Sequence, residues 1–413
     1  MRHLARGAIY WAFACTLLCT TLPSLADSAE AKGFPELRAV TSPEDAGFSA
    51  RKLKELDALI TRDVAAGFPG AVLLIIRDGK IVRNTSYGYR QKFAGAEPLE
   101  TFVPMTSGTL FDLASNTKMY ATNFALQKLV SEGRLDLHAK VQDYVTEFRD
   151  TESDPIRGKD LLTVEDVLHH SAGFMPDPQY HNQAVAKGLY SQTRSTTNRM
   201  LSRTPLVYPP GTDNVYSDVD YMLLGLIIER ISGQKLDEYV EESIYAPLGL
   251  AHTHFNPLQK GFATADFAAT ELQGNTRGGI ISFPNIRTDT LRGEVHDEKA
   301  FYSMGGVAGH AGLFSTAGDL AVLLQVMLNG GGYGPVLLFD PESIRTFTTP
   351  SDADPTFALG WRTNGDDTMQ WMFGEHASRR AYGHTGWTGT LTVIDPEYNL
   401  GIVLLTNKKH SPV

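Results

Sequence analysis

Ser115-Asn116-Thr117-Lys118 sets a hydroxyl and an amine three residues apart. A serine hydroxyl is a poor nucleophile until a base takes its proton. On a helix, side chains at i and i+3 share a face, so Lys118 is placed to reach the Ser115 oxygen. Burial would lower the lysine pKa and free the amine to be that base. Backbone N–H groups at the helix start would face the oxyanion formed when Ser115 attacks a carbonyl. A second group, Tyr216-Ser217-Asp218, follows the turn Pro209-Pro210-Gly211 and precedes a helical pattern. A phenol there can shuttle a proton between nucleophile and leaving group if a nearby ammonium lowers its pKa. The third group is His384-Thr385-Gly386-Trp387-Thr388-Gly389. Two glycines beside a strand let a substrate backbone come close. The Trp387 N–H offers a second oxyanion donor beside that of Ser115.

Each group also has a plainer reading. The S-x-x-K pattern recurs at Ser49–Lys52 and Ser232–Lys235. Ser49 reads as a helix cap, and Ser232-Gly233 as the end of one helix before another. Ser115 differs because it follows Phe111-Asp112-Leu113-Ala114 and opens a long helix directly after the strand region. Tyr180-His181-Asn182 imitates the second group, but in a loop with no helix entry. For any one of 16 tyrosines, a packed ring with a satisfied hydroxyl is the ordinary case. The third group alone would be a Gly-rich turn between strands. His296-Asp297 and His310 flank Met304–Gly309 and read as hydrogen-bonded loop histidines at the edge of a cleft. His252-Thr253-His254 and His169-His170 lack helical metal spacing, so no metal site is expected. Gly330-Gly331-Gly332 reads as a helix stop, with no phosphate-loop lysine after it.

The elements that must position these groups follow from periodicity. Ser49 caps a helix to about Ala66, with Leu53, Leu56, Leu59 and Ile60 on one face. Ala71–Arg77, Asp78-Gly79 and Lys80–Tyr87 form a hairpin with a favoured two-residue turn. The middle of the chain, 119–295, is mainly helical, clearest at Asn123–Ser131, Val164–His170, Val219–Ile231 and Leu236–Ile244. Phe255–Thr290 has no strong period. A helix over Ala317–Asn329 precedes strands at Ala358–Thr363, Leu391–Asp395 and Gly401–Thr406. Strands at both ends and helices between them predict a discontinuous α/β sheet domain, 27–118 plus 296–413, carrying a helical insertion at 119–295.

The 413 residues carry a net charge of −10, which argues against a nucleic-acid partner. The N-terminus looks exported. Arg2, His3 and Arg6 form a basic head, Ala8–Leu22 is apolar, and Ser24-Leu25-Ala26 presents a signal-peptidase site. Residues 1–26 are therefore expected to be a signal removed after Ala26, leaving the protein in the periplasm. An uncut segment would hold it at the inner membrane. Both cysteines, Cys15 and Cys19, lie in that segment, so the remainder can use neither disulfides nor thiol chemistry.

In this order, separated by a helical insertion, the three groups resemble the serine β-lactamase and penicillin-binding protein superfamily. The class C β-lactamase-like branch is the nearest. Leu168–Phe174, Tyr208–Gly211 and Gly312–Thr316 add to the likeness. It implies a β-lactamase/transpeptidase-like α/β fold, an antiparallel sheet flanked by helices with an inserted helical subdomain, and no cofactor. It also implies that Ser115 forms an acyl-enzyme, with Lys118 and Tyr216 as a coupled proton-transfer pair. His384, Thr385, Gly386, Trp387 and Asp218 would line the substrate. The implied activity is serine-type D-alanyl-D-alanine carboxypeptidase on peptidoglycan stem peptides, with β-lactams as covalent ligands. An esterase, a muramyl-peptide amidase, or a non-catalytic binder of muropeptides or β-lactams on the same fold are the alternatives. Three departures stand out. Asp218 replaces the usual Asn, either to pair with Lys118 or to cap the helix. His384 replaces the Lys of β-lactamases, and a neutral imidazole pulls less on a substrate carboxylate. Family members also continue into a C-terminal helix, so either the chain is truncated or one sheet face is left partly bare.

Overall fold

Ser49 begins the first helix as a cap: its Oγ accepts the Lys52 N–H, and Ala50–Ala65 follows. The computed structural model describes residues 33–351 and 354–412. The expected signal segment and both cysteines lie outside them. Among the described residues, no helix is long and apolar enough to cross a membrane.

The hairpin forms where Asp78 and Gly79 both take positive φ, 52° and 70°, joining Gly70–Arg77 to Lys80–Ala94 with Arg77 opposite Lys80. Two positive φ values in a row match the right-handed twist of paired strands. From this hairpin the main sheet runs in the order Arg38–Ala39, Lys80–Ala94, Gly70–Arg77, Leu400–Thr406, Thr390–Asp395, Tyr382–Thr385, Arg362–Thr363, with Glu97–Pro104 also on Lys80–Ala94. The first pair is parallel and the others antiparallel.

Gly70–Arg77 is apolar on both faces because both are covered. Val72, Leu74 and Ile76 join the main core with Leu320, Leu323 and Leu324 of the helix Ala317–Leu328. Ala71, Leu73 and Ile75 join a second core with Leu53, backed by Leu56 and Ile60 of the first helix. Each such buried aliphatic contributes about 1.5–3 kcal/mol. The central helix Asp218–Ser232 lies almost wholly in the main core and ends at Gly233, φ 76°. The decoys resolve as caps and packing. Ser232-Gly233 is a helix end, and the Tyr180 hydroxyl is buried 2.6 Å from Thr204 Oγ1.

Several elements differ from expectation. The strand at Ala358–Thr363 shrinks to Arg362–Thr363, because Gly360 turns the chain at φ 81° against Tyr221. Tyr382–Thr385, with a glycine inside it, gives no alternation to read, yet it is a strand. Arg194–Arg203 is a helix with little apolar stripe, started by the Thr193 hydroxyl.

Candidate active site

The turn that carries Ser115 is strained in its backbone. Ala114 takes φ 46°, a left-handed conformation that costs a non-glycine residue about 1–3 kcal/mol. The Asp112 carboxylate holds that turn by accepting the Ala114 N–H at 2.8 Å. Ser115 does not open a regular α-helix. It sits in a 3-10 turn, Ala114–Asn116, followed by a π-helical turn over Lys118–Asn123, and only then by Phe124–Ser131. Side chains tie this turn to neighbouring elements. Asn116 bonds to Thr390 and Thr392, and Thr117 Oγ1 accepts the Leu313 N–H. Widened turns of this kind often accompany functional sites.

The strand bearing His384-Thr385-Gly386 is stapled to this turn. Thr388 Oγ1 donates to the Asp112 carbonyl (2.8 Å) and Thr390 Oγ1 to the Leu113 carbonyl (3.0 Å). Only glycine fits at 386. A Cβ there would lie 2.3 Å from the Leu113 carbonyl oxygen and 2.2 Å from Thr390 Oγ1. Thr388 in the turn, and Thr390 and Thr392 at alternate positions of the strand Thr390–Asp395, all direct their hydroxyls to the turn carrying Ser115.

Lys118 is fully buried. Its ammonium donates to Ser115 Oγ at 3.1 Å, to Asp218 Oδ1 at 2.8 Å and to the His310 carbonyl at 3.4 Å. It also lies 4.6 Å from the centre of the Tyr216 ring. The expected lowering of its pKa is therefore wrong. Burial disfavours the charge, but the Asp218 carboxylate, with Tyr216, more than offsets this and holds Lys118 above the ordinary lysine range. At rest Lys118 is an ammonium, a donor to Ser115 and not an acceptor. Asp218 takes the pairing role of its two alternatives. Ser217 caps the helix instead, through the Val219 N–H. Burial opposes the Asp218 charge, yet Lys118, Lys299 and His310 hold the carboxyl well below its usual range.

Lys299 was not anticipated. Its ammonium reaches Asp177 (2.8 Å), Asp297 (3.1 Å) and Asp218 (3.2 Å), and Asp297 in turn meets His310 Nε2 at 2.9 Å. Asp218, Asp297 and His310 could by spacing hold a metal ion. The Lys299 ammonium already supplies a cation to both carboxylates. His296, read as a loop histidine, binds Glu271 at 2.9 Å.

Tyr216 stands on a buried pair that the sequence reading also missed. The His170 ring packs 4.7 Å from the Tyr216 ring, and His170 Nδ1 lies 2.6 Å from Asp220 Oδ2. The Ser217 N–H also points at Nδ1, at 3.2 Å. A nitrogen accepting that N–H carries no proton, so the proton shared with Asp220 belongs to the carboxyl. Burial acts the same way, pushing Asp220 well above and His170 well below their usual ranges. The pair is neutral, and it anchors the loop carrying Tyr216 through the bond from Val215 N–H to the His170 carbonyl.

Ser115 lies between two cavities that share Tyr216 and Trp387. One, about 240 Å³, is lined by Asp177, Arg277, Glu298 and Lys299. The other, about 530 Å³, is lined by Arg362, Trp371, His384 and Thr385. In the second, His384 is neutral as expected. Burial, then Lys118, pushes it down to about 3. Its Nδ1 lies 2.7 Å from the Thr385 carbonyl. Lys408 and Arg362 both line this second cavity, and Arg362 is on the strand beside His384. It lies over the Phe357 ring and has no ion-pair partner among the described residues. A larger cavity of about 750 Å³ opens beyond Trp387 but does not contain Ser115.

A family profile described as "Beta-lactamase" matches residues 56–413. The chain belongs to that family. It is 58% identical over 398 residues, 96% of this chain and 92% of the other, to a protein of Escherichia coli (strain K12) named "Putative D-alanyl-D-alanine carboxypeptidase". It is also 58% identical over 374 residues, 91% and 85% of the two chains, to the "N-acetylmuramyl-L-alanine amidase" of Bacillus subtilis (strain 168). The fold is similar to that of an octameric penicillin-binding protein homologue from Pyrococcus abyssi, with TM-score 0.63 at 24% identity over 88% of this chain and 75% of that one. The β-lactamase/transpeptidase-like architecture expected from the three groups is thus the observed one, and the chain is a serine hydrolase by family.

Proposed function

We propose that this chain hydrolyses an amide bond in peptidoglycan stem peptides through an acyl-enzyme on Ser115, and that it does so in the periplasm after loss of residues 1–26. The leading reading is D-alanyl-D-alanine carboxypeptidase. The observation that carries it is the buried Lys118 ammonium, 3.1 Å from Ser115 Oγ and under the Tyr216 ring, in a cleft lined by the cations Arg362 and Lys408. Ser115 Oγ attacks the carbonyl carbon, and the Ser115 and Trp387 N–H groups meet the oxyanion. Lys118 and Tyr216 act together in moving the Ser115 proton. Asp218 holds Lys118 as the ammonium, so the proton relay beside Ser115 runs through the Tyr216 oxygen. That oxygen takes the Ser115 proton and passes it to the departing nitrogen as the C–N bond breaks. Water then attacks the ester, giving its proton back along the same path, and Ser115 is regenerated. Arg362 binds the carboxylate of the peptide, the role that a neutral His384 cannot fill. The same centre supports acylation by β-lactams. No step calls for a cofactor.

A second reading, hydrolysis of the bond between a muramyl group and L-alanine, is favoured by the equal identity to the Bacillus subtilis amidase. The test incubates the purified chain with a pentapeptide ending in D-Ala-D-Ala and with a muramyl pentapeptide, and identifies products by mass spectrometry. Released D-alanine supports the first reading, and an intact free peptide the second. Neither product, with ligand binding retained by Ser115→Ala, would make the chain a non-catalytic binder.

A further inference from the structure

No step of the acyl-transfer path uses Lys299, yet its ammonium is buried beside the path, with the residue 5% exposed. A charge withdrawn from water in this way is costly unless it is paired. Lys118 opens the π-helical turn Lys118–Asn123, and Lys299 opens another, Lys299–Ser303. The two ammoniums meet on one carboxylate. Lys118 takes Asp218 Oδ1 at 2.8 Å and Lys299 takes Asp218 Oδ2 at 3.2 Å. The Asp218 carboxylate has no other hydrogen bond or ion pair among the described residues.

Asp297 supplies an independent observation. One of its carboxylate oxygens lies within 4.8 Å of one of Asp218. Two anions this close in a largely buried site repel each other strongly unless a cation stands between them. Lys299 is that cation, 3.1 Å from Asp297 and 3.2 Å from Asp218. Burial disfavours its charge, but Asp297, Asp218 and Asp177 more than offset this and hold Lys299 well above the usual lysine range. The two acids are not equally free to move. Asp297 Oδ1 accepts the Ala300 N–H at 2.8 Å and meets His310 Nε2 at 2.9 Å, so Asp297 is tethered without the lysine. Asp218 has only its two ammoniums. With Lys299 gone, Asp218 is the acid that gives way, and Lys118 moves with it. Asp177, the third partner, has a side chain 58% exposed, so water screens its charge.

We propose that Lys299 is a positioning residue for acyl transfer: its ammonium cancels the repulsion between Asp297 and Asp218, so that Asp218 keeps Lys118 aimed at Ser115 Oγ. Lys299 acts through Asp218 and not on the reacting atoms. The proposal rests on the acyl-enzyme reading above and adds to it the group that holds the Ser115–Lys118 contact in place.

The test removes one charge and then its opponent. Lys299→Met is expected to slow acylation of Ser115 by benzylpenicillin at least about tenfold. Adding Asp297→Asn removes the repulsion, and the double variant should acylate within about threefold of Asp297→Asn alone. Deleting a carboxylate would not repair a lysine that served only as packing or moved protons itself. A wild-type rate in Lys299→Met, or a double variant as slow as Lys299→Met, would overturn the proposal. Should Lys299→Met fail to fold, the double variant is compared with Asp297→Asn, and a gap of about tenfold or more overturns it. Crystal structures of wild type and Lys299→Met read the same claim without turnover. Lys118 Nζ should move out of hydrogen-bond reach of Ser115 Oγ, and a contact kept at 3.1 Å would count against Lys299. A wild-type protein that benzylpenicillin does not acylate would remove the hydrolase reading, while the crystal comparison still decides whether Lys299 positions Lys118.

Discussion

In the proposed mechanism, Asp218 decides which member of the Lys118–Tyr216 pair receives the Ser115 proton. With the carboxylate 2.8 Å away, Lys118 stays charged. In Asp218→Asn the principal group raising the lysine is gone, and Lys118 becomes able to act as the base. The acid limb of kcat/KM is expected to move to lower pH by about one unit or more, with the fold retained by circular dichroism. An unmoved limb would show that the proton does not pass through this pair. The His170–Asp220 pair gives a second residue-scale prediction. Because Asp220 is a neutral acid donating to Nδ1, Asp220→Asn keeps a donor and should retain most activity. Asp220→Ala should lose about tenfold in kcat, as Tyr216 loses its support. Equal losses in the two variants would mean that Asp220 acts as a carboxylate. Neither residue was legible as a functional partner, since nothing in a sequence says that a histidine and an aspartate 50 positions apart meet.

The elements that mattered most were those least readable by period. The helix Ala50–Ala65 and the turn at Asp78-Gly79 follow local chemistry, cap and turn, and were placed closely, while the second hairpin strand runs on past Tyr87 to Ala94. Ser115, Lys118, Tyr216 and His384 were singled out by side-chain type and spacing, and the structure brings them together around one cleft. The strand Tyr382–Thr385 and the stub Arg362–Thr363 are strands through their neighbours and not through propensity, and Arg362 was missed with them. The docking of strand on nucleophile turn is the element-scale claim. Gly386→Ala puts a methyl against the Leu113 carbonyl and Thr390 hydroxyl, and is expected to cost about 1–3 kcal/mol of stability by urea unfolding. Acylation should fall at least about a hundredfold, because the Trp387 N–H leaves the oxyanion position. Activity near wild type would mean that this strand does not form the site.

At the scale of the whole molecule, burial of neutral imidazoles links stability to pH. His384 and His410 titrate in the fold at about 3 and about 4, far below free histidine. In the unfolded chain both take up protons near pH 6.5, so each contributes stability above that value and loses it as pH falls toward the folded pKa. The buried acids Asp112 and Asp220 act in the opposite sense, since their raised values favour the fold where they are protonated. The difference between variants isolates one group. From pH 7 to pH 4.5, His384→Gln should lose less stability than wild type in urea unfolding, and an equal loss would show that His384 is charged in the fold. The account as a whole stands on Ser115 as the atom that carries the acyl group. Rapid acid quench of the purified protein with benzylpenicillin and with a muramyl pentapeptide, followed by peptide mapping by mass spectrometry, tests it directly. The adduct is predicted on the peptide containing Ser115 and is absent from Ser115→Ala. An adduct on another residue, or hydrolysis that survives in Ser115→Ala, would contradict it.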